Sequence, residues 1–205
     1  MDRKRTIIAA IVLLLVLVVG GAVAYFTDTK STTNTFTIGD VKIEILEPAW
    51  NNSPDGGTTP AGKDVAENMM PGEEAGKDPQ IKNTSAENAA YVFMKVVSPC
   101  TTAATGVELF PYKTHTNSAW YLMTDGTCSS GSVTRIYAYG SSSAMTALAA
   151  AATTPALFTS LTLEPTWDGS NKPANTDVVI TGYAIQADGL TSAAPNAVWT
   201  AANFS

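Results

Sequence analysis

The chain has 205 residues, with 12 basic against 18 acidic side chains and a formal net charge of −6. That length can bury a sizeable core, and the acidic balance repels nucleic acid and anionic lipid, which excludes both as partners. One histidine and two cysteines leave few side chains for metal or nucleophile chemistry.

The amino terminus reads as an export signal. Asp2-Arg3-Lys4-Arg5 is basic, residues 7–19 ("IIAAIVLLLVLVV") are an unbroken apolar run, and Ala22-Val23-Ala24 supplies an A-x-A pattern before Tyr25. Together they predict a signal peptide over residues 1–24, with Ala22 and Ala24 as the small residues and cleavage before Tyr25. Residues 7–24 also reach the length of a short membrane span, so an uncleaved anchor is the competing expectation. No lipobox cysteine precedes the cut and no LPxTG-like sorting motif occurs, so the processed chain is expected to be secreted and free of the membrane. It retains 9 Lys and Arg against 17 Asp and Glu, a net charge of −8.

Residues 35–46 ("TFTIGDVKIEIL") alternate as strand does, with Gly39-Asp40 as a turn or bulge between two phases. Residues 47–78 are rich in Pro, Gly and Asn and predict a long surface connection with a short helical turn near Val65 and Met69. Strands follow at 79–85 and 89–98. In the second, Tyr91, Phe93 and Lys95 take one face while Val92, Met94 and Val96 take the other. Further strands are expected at 107–112, 119–124, 133–139, 157–163 and 177–186, and Asp125-Gly126 carries hairpin chemistry. The Ala-rich "SSAMTALAAAA" at 142–152 predicts a helix, and a shorter helical turn is expected at 192–199. Short strands, long crossings and few helices imply an all-β chain. The expected architecture is an antiparallel β-sandwich of jelly-roll type, one domain over residues 35–205, with one or two short helices in loops.

Candidate chemistry is sparse. Cys100 and Cys128 sit in turn-like surroundings, and an even count in an exported chain favours one disulfide over two free thiols. His115 stands alone in a polar loop, and no HExxH, GxSxG, CxxC or P-loop pattern occurs. No catalytic residue, metal ligand set or cofactor is therefore expected. Asp64, Glu67, Glu73, Glu74 and Asp78 lack the alternation of a calcium loop and read as solvated. Trp120 and Tyr121 fall in a strand, where core packing is the expected fate. Trp50 and Trp167, each after a Glu-Pro-X step, read as loop anchors or as part of a glycan-binding surface.

The segment "AYFTDTKSTTNTFTIGDVKIEIL" resembles the start of the TasA/camelysin family of exported matrix-fibre proteins. Its matching runs are Ala24-Tyr25-Phe26-Thr27-Asp28 and Asn34-Thr35-Phe36 followed by Gly39, Val41 and Ile43. "MMPGEEAGKDPQIKNTSAENAAYVFMKV" is similar to a downstream segment of that family, and "VVITGYAIQADGL" to a carboxy-terminal strand of its relatives. The resemblance implies processing by a SipW-type signal peptidase and a cell-surface or biofilm-matrix location in a Gram-positive-type bacterium. It also implies assembly with other copies, or with related fibre subunits, by donor-strand complementation. The donor segment is residues 25–34, with Tyr25, Phe26, Thr27, Asp28, Thr29, Lys30, Ser31, Thr32 and Thr33 as its pairing residues. These residues are expected to find no strand partner within their own chain. Camelysin itself is described as a metallopeptidase, an activity that the missing zinc signature speaks against here. A monomeric module binding glycan or protein is the other alternative.

Overall fold

A computed structural model describes residues 27–31, 34–36, 41–53, 55–103 and 106–204. The signal segment with Ala22 and Ala24, the cut before Tyr25, and Tyr25, Phe26, Thr32 and Thr33 lie outside the described residues.

The elements run β1 (Thr27–Ser31), β2 (Asn34–Phe36), β3 (Ile43–Leu46), α1 (Pro48–Asn51), α2 (Gly62–Ala66), β4 (Glu74–Gly76) and β5 (Gln80–Asn83). Then come β6 (Ala90–Pro99), a 3-10 turn (Lys113–His115), β7 (Trp120–Asp125), β8 (Ser132–Tyr139), β9 (Ser160–Thr162), β10 (Val179–Gln186) and α3 (Pro195–Ala201). One six-stranded sheet has the order β2-β1-β10-β6-β8-β7, and two smaller sheets pair β3 with β5 and β4 with β9. Every pairing is antiparallel. The chain is thus mostly β with a few short helices, and none of these sheets closes on itself.

The large sheet is covered on both faces, and strand alternation explains how. Ala90, Val92, Met94 and Val96 of β6 join Ile180 and Ala184 of β10 and Tyr137 of β8 in the main core. Val41, Ile43 and Ile81 pack on the same side. Phe93 points the other way, into a second cluster with Tyr183, Ile185, Ala138 and the α3 residue Val198. The β3 strand lies close over β10: a Cβ on Gly182 would stand 3.2 Å from Ile43 Cδ1 and 3.4 Å from an Ile45 methyl. Glycine there permits the close approach of the two layers.

The strands expected at 79–85, 89–98, 119–124, 133–139 and 177–186 are present with slightly different ends, and β9 is a shortened version of 157–163. Of the strand expected at 35–46, Asn34–Phe36 and Ile43–Leu46 are strand, and Gly39 and Asp40, the expected turn or bulge, lie outside the described residues. The two helical turns occur a few residues from their expected places, as α2 and α3.

Two expectations are corrected. Residues 142–152 are not helical: the Leu148 amide donates to the Ala90 carbonyl at 2.8 Å and the Ala90 amide donates back at 2.9 Å. Met145 enters the second cluster while Leu148 enters the main core, a divergence that one helical face would not allow. The helix preference of alanine, a few tenths of a kcal/mol per residue over most other types, is overridden by pairing with the start of β6. Residues 107–112 form no strand either. They keep a single bridge, Cys100 to Glu108, because the chain turns sharply where the Tyr112 amide donates to the Phe110 carbonyl at 3.0 Å.

Candidate assembly strand and the cleft beside it

Of the predicted donor residues, Thr27, Asp28, Thr29, Lys30 and Ser31 form β1. They pair antiparallel with β10 from Thr27 opposite Ile185 to Ser31 opposite Thr181. On its other side β1 faces β2, with Thr29 opposite Phe36 and Ser31 opposite Asn34. The segment therefore has a partner in its own chain, which corrects the expectation that it has none. The partner lies some 150 positions away in sequence, and alternation within "TDTKS" carries no signal of it.

Pairing between β10 and β6 runs the full length, from Val179 opposite Val97 to Gln186 opposite Ala90. On the β1 side it stops at Thr181, so among the described residues Val179 and Ile180 face no strand there. Val179 is 38% exposed.

A cleft of ≈ 870 Å³ opens at this end of β10. Thr176, Asp177, Val178 and Val179 form one wall, and Trp50 and Trp167 line it as well. Ala75, Leu161 and Leu163 give an apolar floor, and Glu44, Glu67, Asp177 and Lys172 add charge. Lys77 and Glu47 are both deeply buried in its wall, with Nζ 2.7 Å from Oε1. The Lys77 ammonium also stands 4.4 Å from the Trp50 ring centroid. Ion pairing and the negative face of the indole together offset the desolvation of that ammonium. The Trp167 indole donates Nε1–H to the Ser170 carbonyl at 2.9 Å, fixing its loop. Trp50 and Trp167 thus converge on one cleft, which sequence spacing alone does not reveal.

Behind β7 and β8 lies an ion network. Arg135, 3% exposed, donates from Nη1 to Glu108 Oε2 at 2.8 Å and from Nη2 to Glu108 Oε1. Its Nε–H donates to Asp125 Oδ1 at 2.7 Å. The bidentate bond to Glu108 raises the Arg135 pKa above its ordinary value, and Lys113 followed by Arg135 holds the Asp125 carboxyl below its own. Burial pushes the neighbouring Tyr137 hydroxyl up to about 12. The sequence holds the clue in "SVTRIYAY", where Arg135 shares strand parity with Val133 and Tyr137, both buried. A charge on an apolar face needs a partner.

Cys100 and Cys128 are joined, as expected, with their Cα atoms 6.0 Å apart. Glycine at 106 makes room for the bridge, since a Cβ there would fall 1.9 Å from Cys128 Sγ. Three of the acidic side chains of residues 64–78 make contacts within the chain. Asp64 pairs with Lys63 at 2.8 Å, Glu73 accepts from the Met70 amide at 2.7 Å, and Asp78 from the Ala49 amide at 2.8 Å. Trp120 is buried in the core, with Nε1–H donating to the Pro155 carbonyl at 3.0 Å.

The family model described as camelysin metallo-endopeptidase matches residues 3–104. No curated protein and no solved structure matches the chain. The metal implied by that description finds no fitting donor set among the described residues. No group of three or more His, Cys, Asp or Glu side chains is brought together there, and His115 is exposed on the 3-10 turn beside the Thr114 hydroxyl, 3.1 Å from its Nδ1. The match begins in the expected signal segment, takes in β1 through β6 and ends before β7; over that half of its length the chain belongs to the camelysin family.

Proposed function

We propose that the chain is a secreted structural subunit of extracellular, biofilm-matrix filaments, built on a sandwich of jelly-roll type. It joins other copies of itself, or related subunits, by donor-strand exchange through its processed amino terminus. The supporting observation is the mode of attachment of β1. Five residues are paired with β10 by backbone register, and any second copy of the same segment meets the same register. Exchange of an identical element between copies replaces one set of bonds by an equal set, so it costs little. A head-to-tail contact of this kind does not close and propagates as a fibre. Cleavage before Tyr25 by a SipW-type peptidase acts as the assembly switch, because a membrane-held terminus cannot enter a neighbour. The subunit needs no cofactor and hydrolyses no peptide bond; chelator-sensitive digestion of casein by the pure protein would contradict that.

A chain starting at Thr35 retains β10 with its edge open. Adding a synthetic peptide of residues 25–33 to it is expected to raise its Tm, through binding to the native state alone. A Tm insensitive to excess peptide counts against the exchange.

A second reading has one observation in its favour. Trp50 and Trp167 line the same cleft, as a glycan- or protein-binding module requires. Tryptophan fluorescence during titration with soluble oligosaccharides tests it, and an unchanged spectrum across the series speaks against it.

A further inference from the structure

We propose that the cleft beside β10 takes a cationic amino-sugar chain, held by indole rings and carboxylates together. This rests on the second reading above, a glycan-binding module, and specifies the class of glycan.

The lining fixes the sign of the ligand. Four carboxylates, those of Glu44, Glu47, Glu67 and Asp177, line the cleft against two ammonium groups, Lys77 and Lys172. Glu47 and Lys77 neutralise each other deep in the wall. Of the four acids, only Glu47 is in a salt bridge among the described residues. Glu44, Glu67 and Asp177 are exposed, and Lys172 is the one exposed lysine that lines the cleft with them. A rim of that balance attracts cations and repels uronic acids and phosphates, and the acidic chain as a whole adds to both effects.

One ammonium already shows how this wall holds a positive charge. Lys77 Nζ lies 2.7 Å from Glu47 Oε1 and 4.4 Å from the Trp50 ring centroid, so a carboxylate and an indole share it. Trp167 and Asp177 bring the same two groups to the same cleft. A ligand amine would supply the cation that Asp177 lacks.

The backbone favours sugar over peptide as the occupant. An extended peptide is captured main chain to main chain along a strand edge. The wall over residues 176–178 is not strand: β10 starts at Val179, and the Asp177 amide donates to Asn175 Oδ1 at 2.8 Å. Recognition at that wall falls to side chains. The half-buried indoles of Trp50 and Trp167 supply apolar surface for the C–H face of a pyranose ring. The exposed carboxylates and the Thr176 hydroxyl supply acceptors for its hydroxyl and ammonium groups. A volume of ≈ 870 Å³ lies in the upper part of the ordinary range for ligand sites and suits an oligomer better than a single sugar.

Calorimetric titration of the processed protein with a glucosamine tetramer, its fully N-acetylated counterpart and tetralysine tests this. The glucosamine tetramer is expected to bind about tenfold tighter than the N-acetylated one, as several weak surface ion pairs add up, and tetralysine not measurably. Asp177→Asn should weaken the glucosamine tetramer about threefold and leave the N-acetylated one unchanged. Lys172→Ala, which removes a like charge, should tighten it by a similar factor. Glu87→Gln, at an exposed acid outside the lining, should change neither. Equal affinity for the two sugars leaves the glycan reading standing and overturns the cationic class. Tetralysine bound as tightly as the glucosamine tetramer, or an equal loss from Glu87→Gln and Asp177→Asn, overturns the amino sugar as occupant of the cleft. No binding by either sugar overturns both readings.

Discussion

Glu108→Ala is expected to destabilise the protein by about 3 kcal/mol, the loss that follows when a buried charge is stripped of its partner. Among the described residues, Arg135 would keep Asp125 and the Tyr112 ring, whose centroid lies 5.5 Å away. The Glu108 side chain is 22% exposed, so water reaches part of the vacated space and the cost falls at the low end of the range for buried pairs. For a domain of this size the Tm should drop by roughly 6–12 °C. Pairing the change with Arg135→Met removes the stranded charge and should recover much of the loss, because an apolar replacement of a whole ion pair is often neutral. Thermal unfolding followed by circular dichroism reads both values. A single-variant loss below about 1 kcal/mol, the level of a surface pair, would show that Arg135 is better hydrated than its burial implies.

Phe93→Ala is expected to cost about 4 kcal/mol, as truncation of a fully buried ring does when its surroundings cannot collapse. Phe93 is 0% exposed and stands opposite Tyr183 across the β6–β10 pair. Its ring meets Trp199 edge-on at 5.0 Å and Phe204 at 5.9 Å. Those two residues belong to the carboxy-terminal segment that carries α3, so Phe93 is the surface on which this helix docks. A red shift of tryptophan emission, as Trp199 enters water, should accompany the lost stability. Full stability with unchanged emission would mean that Tyr183, Ile185 and the rest of that cluster hold α3 without Phe93.

What the sequence made legible follows from how local each signal is. Alternation in "AYVFMKVVSP" marks β6 and sorts Phe93 from Val92 and Met94, because burial on both faces still leaves two distinct neighbourhoods. The disulfide was legible from cysteine parity and compartment. Residues 142–152 misled because alanine content is a local preference, whereas the fate of Leu148 is settled by Ala90, nearly sixty positions earlier. The short β4 strand lay hidden in a Pro- and Gly-rich connection, since three residues are too few for periodicity to register. The partner of β1 was invisible for the same reason as the cleft: both depend on where β10 falls in space.

The central claim is that the first residues after the processing site build filaments. Electron microscopy of residues 25–205 beside a chain beginning at Thr35, each concentrated at neutral and mildly acidic pH, tests it most directly. Acid belongs in the comparison because protonating some of the carboxylates lowers the repulsion between acidic subunits. Filaments from the longer protein alone, more abundant at the lower pH, are the predicted result; monomers from both chains under every condition would contradict it.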